Sequence, residues 1–380
     1  MLVTTNAVKD VLAAVEQLSP TAQDTLLFLI AEDQPPDISR LIRQLNRRKL
    51  SFMGGIFPGI IYNHRHYKSG TLITKFPTST PPIQLPLNFS PHQSPEWQQV
   101  LKQLTESSHS CIMLVDGLSA HIRHFLKTIY QELGGYALNY FGGGAGSISL
   151  EQRPCVFSAA GLAKDAAVVA FSPWQSTIGV SHGWERFYGP IVATKTDGNI
   201  IKELNWQNAF ELYREIVETD CQTPLTPENF FHIAKQYPFG IYKEGEEDVV
   251  RDPIAVTADG GLICVGDVPE NTALHILRGN REKLIAAARQ AANHNPAPNP
   301  LKLTEVLVAD CISRTLFLES AFETELTTVA SEIQRVQDVP VKGMLTLGEI
   351  ATSGSLYLEF FNKTIVIGKF YETDRSGAVY

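Results

Sequence analysis

The chain has 380 residues with a formal net charge of −8, and 44% of its residues are hydrophobic. This length is enough for two or three ordinary domains with a sizeable core. The acidic balance excludes nonspecific nucleic-acid binding, which requires a basic face. No apolar run reaches the roughly 18 residues of a membrane-spanning helix, and the N-terminus lacks the basic head of a signal peptide. We therefore expect a cytoplasmic protein that binds neither nucleic acid nor membrane.

In chain order, the first predicted elements are a helix and a glycine-punctuated set of strands. Apolar residues recur at helical spacing between residues 8 and 15. Residues 52–76 then read FMGGIFPGIIYNHRHYKSGTLITKF, with Gly54 and Gly59 between apolar runs. Because glycines at fixed offsets mark sharp turns or close backbone approach, we expect tightly connected strands here.

A proline-rich segment follows at residues 77–95. It carries six prolines with serine and threonine between them. Proline lacks the backbone N–H that helices and sheet ladders use. This composition therefore predicts a long surface loop.

The middle of the chain contains a weaker copy of the order of strands and helices predicted for the first segment. An apolar strand at 111–115, a helix-like stretch at 119–133 and a glycine-rich turn precede a strand at 166–171. Residues 179–183 then read GVSHG, which matches the nucleophile elbow of serine hydrolases. That elbow requires a following helix, and the residues after it show no helical pattern. We expect Ser181 not to be a nucleophile, with a serine hydrolase kept as an alternative.

The last third of the chain repeats the glycine pattern. Gly343 and Gly348 have the spacing of the first glycine pair, so we expect all four to occupy equivalent turns in related modules. Strands predominate before Asn205 and two helices follow it. We predict an α+β protein of two modules, residues 1–204 and 205–380. Their mixed and antiparallel sheets would pack together, with helices outside and a ligand cleft between or beside them.

The cysteines and histidines indicate neither a disulfide framework nor a metal site. The five cysteines are widely spaced and form no CxxC pair. An odd, scattered set is typical of reduced thiols in the cytosol. Two histidine pairs at short spacing have no nearby Cys, Asp or Glu that completes a ligand set.

Two charged residues lie inside apolar runs. Arg251 follows two valines, and Glu349 interrupts the segment LTLGEI. A buried charge is costly unless it meets an opposite charge or a ligand. A structural Arg–Glu pair and a ligand-binding role are both open for each residue.

Both residues belong to a longer set of motifs. Residues 311–314 read CISR, an acidic helix follows, residues 339–350 read VPVKGMLTLGEI, and residues 362–364 read NKT. Upstream, residues 182–194 read HGWERFYGPIVAT and residues 249–254 read VVRDPI. Together these segments resemble the FIST family, in its N-terminal and C-terminal domains. The N-terminal copy lacks the family's glutamate, and a phenylalanine precedes NKT where the family often has histidine.

The resemblance implies an intracellular sensory protein that binds small ligands, with amino acids proposed. Such proteins signal to kinases or cyclic-nucleotide enzymes, and one bacterial branch of similar layout binds haem as a nitric-oxide sensor. Eukaryotic members carry an F-box, which this sequence does not show. We therefore expect a bacterial protein that signals to a separate effector, such as a histidine kinase or a cyclic-nucleotide enzyme.

The function favoured is non-catalytic sensing of a small, amino acid-like ligand. Haem-based nitric-oxide sensing and hydrolysis by Ser181 are the alternatives. The candidate ligand-binding residues are Arg251 as the anion anchor, Glu349 and Asn362 as polar contacts, Gly348 as a point of close backbone approach, and His182 and Trp184 at the rim.

Overall fold

The computed structural model of the protein describes residues 1–105, 107–245, 247–294, 301–352 and 358–372. None of the described helices is long and apolar enough to cross a membrane. The helices are α1 (Val8–Leu18), α2 (Ile38–Arg47), α3 (Pro95–Gln103), α4 (Ile122–Leu133), α5 (Ala209–Cys221), α6 (Phe230–Ala234), α7 (Arg281–Asn293), α8 (Ile312–Leu318) and α9 (Phe322–Val336). The strands are β1 (Leu2–Val3), β2 (Asp24–Ala31), β3 (Ser51–Phe57), β4 (Gly59–Tyr62), β5 (Arg65–Tyr67), β6 (Thr71–Pro77), β7 (Ile83–Pro86), β8 (Ser110–Asp116), β9 (Asn139–Ala145), β10 (Val156–Ser158), β11 (Gly161–Ala163), β12 (Ala166–Ser172), β13 (Gln175–Ser181), β14 (Glu185–Asp197), β15 (Ile200–Leu204), β16 (Gln207–Asn208), β17 (Phe239–Ile241), β18 (Val249–Val256), β19 (Leu262–Val265), β20 (Thr272–Arg278), β21 (Lys302–Cys311), β22 (Val341–Thr346), β23 (Glu349–Thr352), β24 (Leu358–Phe361) and β25 (Ile365–Glu372).

Three units of the chain share one order of elements: an edge strand, a helix, a central strand, further helix, a parallel strand, a hairpin and a return strand. In the first unit these are β1, α1, β2, α2, β3, β4–β5 and β6, and in the second β7, α3, β8, α4, β9, β10–β11 and β12. The third unit consists of β13, α7, β21, α8 with α9, β22, β23–β24 and β25. In each unit the return strand pairs with both the central and the edge strand. The α+β class is confirmed, and the weaker middle copy is a complete unit.

The hairpin of each unit joins the sheet of another unit. The first hairpin pairs with the third unit through β4 and β22, and the second pairs with the first through β10 and β3. The third hairpin pairs with the second unit through β23 and β9. Each of the three six-stranded sheets therefore combines two units, and the exchange closes the units into a ring.

A barrel interrupts the third unit between β13 and α7. Strands β14 to β20 form a seven-stranded sheet, and β14 pairs with both β20 and β15, which closes the sheet on itself. Tyr213 of α5 packs inside against Phe230 and Phe239. The barrel begins at Glu185, so the division expected near Asn205 falls within it.

The three sheets share an inner core, and most helices lie outside. Leu27 and Leu29 of β2 belong to the inner cluster, whereas Leu26, Phe28 and Ile30 pack with the outer helices α1 and α2. This alternation is the two-residue period of a strand that is buried on both faces. Each such side chain contributes about 1.5–3 kcal/mol when fully buried. The expected arrangement of packed sheets with outer helices is confirmed.

The glycine pairs occupy equivalent positions, but not all of them are turns. Gly54 and Gly343 lie inside β3 and β22. A Cβ on Gly343 would lie 2.4 Å from the Val308 carbonyl oxygen of the adjacent β21, so close strand approach explains this glycine. Gly59 begins β4, and Gly348, at φ +108°, turns the chain from β22 into β23. The predicted turns are therefore wrong for the first glycine of each pair.

The proline-rich segment 77–95 is not entirely loop. Residues Ile83–Pro86 form β7, which pairs with β12 from Ile83↔Val169 to Pro86↔Ala166. β7 is the outermost strand of its sheet, where proline is tolerated because one side of the backbone needs no ladder partner.

Candidate functional site

A cavity of about 1230 Å³ opens where the second unit, the third unit and the barrel meet. The start of α4 forms one wall, β18 and β19 of the barrel form another, and β24 and the start of α8 complete it. Small-molecule sites commonly enclose about 300–1,000 Å³, so this cavity, which is somewhat larger, has room for a small organic ligand. Much of the wall is apolar, including Leu118, Ile122, Leu126, Ile254, Leu316 and Phe360.

Arg251 lines this cavity from β18. Its Nε donates to the Asp267 carbonyl at 2.9 Å, and its Nη1 donates to the carbonyls of Val250 and Phe360 at 2.9 and 3.2 Å. The residue is only 8% exposed, and this burial lowers the pKa of its guanidinium. No carboxylate among the described residues forms an ion pair with it. The cavity therefore contains a largely buried cation that only carbonyl dipoles contact directly.

Asn362 lines the same cavity beside Arg251. A Cβ on Gly266 would lie 3.3 Å from Arg251 Nε and 3.4 Å from Asn362 Oδ1, so both side chains reach the gap that this glycine leaves. Asn362 is 1% exposed, and neither of its amide atoms has a hydrogen-bond partner within the described chain. A buried polar group without a partner costs about 1–3 kcal/mol, and contact with a ligand would remove that cost.

Asp252, the residue after Arg251, forms its ion pair with Lys363 and not with Arg251. Its Oδ1 lies 3.1 Å from Lys363 Nζ, and both side chains are almost fully buried. Lys363 Nζ also donates to the Lys235 carbonyl and lies 4.8 Å from the Trp184 ring centroid. Burial raises the pKa of Asp252, and Lys363 opposes that rise. Asp252 therefore does not neutralise Arg251.

Glu349 lies behind the cavity wall and does not itself line it. Its Oε1 accepts a hydrogen bond from Thr346 Oγ1 at 2.5 Å, and its Oε2 accepts one from the Thr364 backbone N–H at 3.2 Å. Burial raises the pKa of Glu349 to about 8, although these donors oppose the rise. Burial therefore favours the protonated form of this carboxyl group. The adjacent Gly348 does line the cavity.

The Arg–Glu pair left open by the sequence exists, but between other residues. Arg314 Nη2 donates to Glu325, and Arg314 Nε lies 3.4 Å from Asp310, with all three side chains 0% exposed. Arg314 also donates to the carbonyls of His182 and Leu284, at 2.6 and 3.1 Å. Although burial opposes ionisation, the two carboxylates raise the pKa of Arg314. This arginine therefore joins the barrel entry to helices α7 and α9.

His182 and Trp184 lie at a separate, smaller cavity of about 350 Å³. His182 Nδ1 accepts a hydrogen bond from the Trp184 backbone N–H at 2.8 Å, and burial lowers the pKa of His182. The predicted ligand set is therefore divided in space. Arg251, Asn362 and Gly348 line the large cavity, whereas His182 and Trp184 do not.

Ser181 ends β13 and is 1% exposed. Its hydroxyl donates to Glu247 Oε1 at 2.9 Å. The chain continues into β14 rather than a helix, so the strand–turn–helix geometry of a nucleophile elbow is absent at this site.

The large cavity offers neither a histidine nor a thiolate ligand for haem among its described residues. None of the described lining residues is histidine, a common axial ligand of haem iron. Cys264 and Cys311 do line the cavity, but burial raises the pKa of both thiols and opposes the thiolate form that binds metals. Across the described chain, no group of three or more His, Cys, Asp or Glu side chains could hold a metal ion.

Sequence reasoning missed several residues of the cavity. Arg123 and Lys127 of α4 line it and are exposed, and neither forms an ion pair with another described residue. Their spacing of four residues places them on one helix face, which was the available signal. Ile148 and Leu150 also line it, and nothing in their local sequence distinguishes them from ordinary loop residues.

Comparison with known families matches nearly the whole fold. The FIST N domain matches residues 25–207, which include most of the first two units and the start of the barrel. The FIST C domain matches residues 209–352, which include the rest of the barrel and much of the third unit. A comparison with curated proteins found no match. FIST domains are generally sensory domains. The chain belongs to the FIST family.

Proposed function

We propose that this protein is a non-catalytic sensor that binds a small ligand in the large cavity and reports its presence to a separate effector. The observation that carries the proposal is the environment of Arg251. This guanidinium is largely buried, lines the cavity and has no carboxylate ion-pair partner among the described residues. Leaving a buried charge without a counter-charge is costly, and an anionic ligand removes that cost.

The structural alternative for Arg251 is an internal ion pair. The carboxylates of Glu359 and Asp267 raise the pKa of Arg251 from a distance, against the effect of burial, but neither contacts it; Glu359 pairs with Lys243, and the adjacent Asp252 pairs with Lys363. Arg251 instead donates to carbonyl oxygens, which hold the guanidinium in position without neutralising it. This arrangement supports a ligand-binding role.

Other predicted residues have distinct roles in this proposal. Asn362 contacts the polar end of the ligand. Gly348 lines the cavity, but a Cβ there would lie 2.1 Å from the ring of Phe360, so the missing side chain makes room for that ring rather than for the ligand. Glu349 fixes the NKT turn behind the wall through its bond to the Thr364 N–H. His182 lies outside the cavity, and we propose that it and its neighbour Trp184 connect the barrel to the third unit through Lys363 and Arg314.

Signalling requires that ligand binding change a surface that a partner recognises. The cavity is bounded by the barrel and by two of the three units, so a ligand that contacts all of them stabilises one relative arrangement. We propose that a regulator such as a histidine kinase or a cyclic-nucleotide enzyme reads this arrangement in the cytoplasm. An amino acid-like ligand satisfies the requirement for a carboxylate.

Thermal unfolding of the purified protein with a library of small organic anions tests the proposal. A ligand at about 100 times its Kd should stabilise the protein by about 2.7 kcal/mol. The stabilisation by ligand should disappear in Arg251→Ala and return only in part in Arg251→Lys. The ammonium group of lysine carries the charge but lacks the planar, paired donors of the guanidinium. If no anion stabilises the protein, or if the shift is unchanged in Arg251→Ala, the proposal is wrong.

A further inference from the structure

We infer that the ligand is an N-acylated amino acid: a carboxylate beside a secondary amide that bears a long acyl chain. This inference rests on the proposed function, because it names the ligand class of the same cavity. Three features support it: a guanidinium that no carboxylate of the described chain contacts, an unpartnered carboxamide next to it, and an apolar wall that is partly exposed to solvent.

The guanidinium of Arg251 selects the carboxylate. Its Nε and Nη1 are occupied by carbonyl oxygens, whereas Nη2 has no partner among the described residues. Burial is the main cause that lowers the pKa of Arg251; Glu359 and Asp267 oppose it from a distance, and the cation of Arg123 adds a smaller lowering. A carboxylate close to Nη2 would form a charge-assisted hydrogen bond and offset this repulsion.

The carboxamide of Asn362 selects a neighbouring amide. Asn362 has both an unpartnered donor, Nδ2, and an unpartnered acceptor, Oδ1. A secondary amide supplies the matching acceptor and donor, while a simple carboxylate supplies only acceptors. Arg251 Nε and Asn362 Oδ1 lie 3.3 and 3.4 Å from the same point beside Gly266, so a ligand that meets both residues carries its amide and its carboxylate near each other.

A free amino acid fits less well, because its ammonium group requires a carboxylate. Asp252 and Glu359 line the cavity, but Lys363 and Lys243 pair with them at 3.1 Å each. Glu359 and, to a smaller extent, the third lining acid Asp267 also raise the pKa of Arg251 against the effect of burial, so both already act on that cation. Acylation converts the ammonium group into a neutral amide, which needs no counter-charge.

The apolar wall selects the acyl chain. Ile148 and Leu150 line the cavity while 50% and 49% exposed, so their side chains meet solvent in the absence of a ligand. Ile122 and Leu126 of α4 continue this surface. Covering apolar area gains about 25 cal/mol per Å². A long acyl chain would cover this wall, and a short polar ligand would not.

Isothermal titration of the full chain with four matched compounds tests the ligand class. N-decanoylglycine has all three features, N-decanoylglycinamide lacks the carboxylate, decanoate lacks the amide, and N-acetylglycine lacks the long chain. We expect N-decanoylglycine to bind at least about tenfold more tightly than each of the others, since one good hydrogen bond or a few buried methylene groups contribute that factor. Comparable binding of decanoate and N-decanoylglycine contradicts the inference.

Variants assign each preference to a residue. Arg251→Met should remove the preference for N-decanoylglycine over its amide, and Asn362→Leu should remove the preference over decanoate. Ile148→Ser should weaken N-decanoylglycine more than N-acetylglycine. Arg43→Met, which removes an exposed arginine on α2, a helix that contributes no residue to the cavity lining, is the control and should change nothing. Retention of both head-group preferences in the first two variants would overturn the inference.

The polar match can also be tested from the ligand side, in case Asn362→Leu fails to fold. N-decanoylsarcosine lacks the amide N–H and should bind about tenfold less tightly than N-decanoylglycine. If N-decanoylglycine does not bind at millimolar concentration, the ligand class is wrong. The proposed function then stands only if another anion stabilises the protein in an Arg251-dependent manner.

Discussion

Two buried arginines of this protein, Arg314 and Arg251, differ in which groups surround their charge. Arg314 contacts Glu325 and Asp310 and donates to three carbonyls, so its charge is neutralised within the fold. Arg251 is held by three carbonyls and no carboxylate, and it lines a cavity. The first arrangement is complete without any other molecule. In our proposal the second is completed by an anion from outside, which is why a buried arginine indicates a binding site only after its partners are known.

The largest expected effect is the loss of stability in Arg314→Ala. The substitution leaves Glu325 and Asp310 in the interior without their cation, and breaking a buried pair in this way costs about 3–5 kcal/mol. Chemical denaturation measures the change. Arg314→Lys is the matched control and should recover only part of the lost stability, because an ammonium group cannot make all the hydrogen bonds of the guanidinium group. A loss smaller than about 1 kcal/mol would contradict the structural role.

A second large effect is the pH dependence that Glu349 gives to folding. Burial raises its pKa in the folded state to about 8 from the ordinary value of 4.5. The folded state therefore binds more protons between these two values, and stability is lost as the pH rises through this window. In Glu349→Gln this contribution is absent, so the difference in unfolding free energy between variant and wild type should shift in favour of the variant from pH 5 to pH 8. A difference that is independent of pH would show that Glu349 is ionised in the fold.

Arg251→Met should lower the stability of the ligand-free protein by a smaller amount, about 1–2 kcal/mol. The substitution removes hydrogen bonds to carbonyl oxygens but leaves no carboxylate without its ion-pair partner. The same substitution should abolish stabilisation by ligand. Comparing Arg251→Met with Arg314→Met in denaturation and in ligand titration separates the two roles. Equal losses of stability in both variants would remove the distinction between the two arginines.

The sequence predicts the parts of this fold that depend on local pattern. The helix at residues 8–15, the repeated glycine spacing and the middle copy at 111–171 follow from periodicity, and all have counterparts in the structure. The exchange of hairpins between units could not be predicted, because it pairs strands such as β4 and β22 that are far apart in sequence. The barrel inserted after β13 was missed because β14 and β15 continue a run of strands without a break in composition.

The candidate site shows the same limit. An arginine in an apolar strand is visible in the sequence, and Arg251 is indeed buried. Its missing partner is not visible, since pairing depends on which carboxylates the fold brings near each cation. His182 and Trp184 belong to the same set of family motifs as Arg251, in a separate upstream segment, and in the structure they lie at a different cavity.

The smallest expected effect is that of Ser181→Ala, which should cost about 0.5–1.5 kcal/mol of stability and leave ligand binding unchanged. Ser181 donates a hydrogen bond to Glu247, whose side chain is 44% exposed. In the variant, water can therefore take the place of the serine hydroxyl at this carboxylate. A nucleophilic serine instead needs a base that accepts its proton and an approach path for the substrate. Here the neighbouring His182 uses Nδ1 to accept the Trp184 N–H, and Ser181 itself is 1% exposed. A fluorophosphonate probe should therefore fail to label the folded protein at Ser181, with the Ser181→Ala variant as the control. Stoichiometric labelling that the variant abolishes would restore the hydrolase alternative.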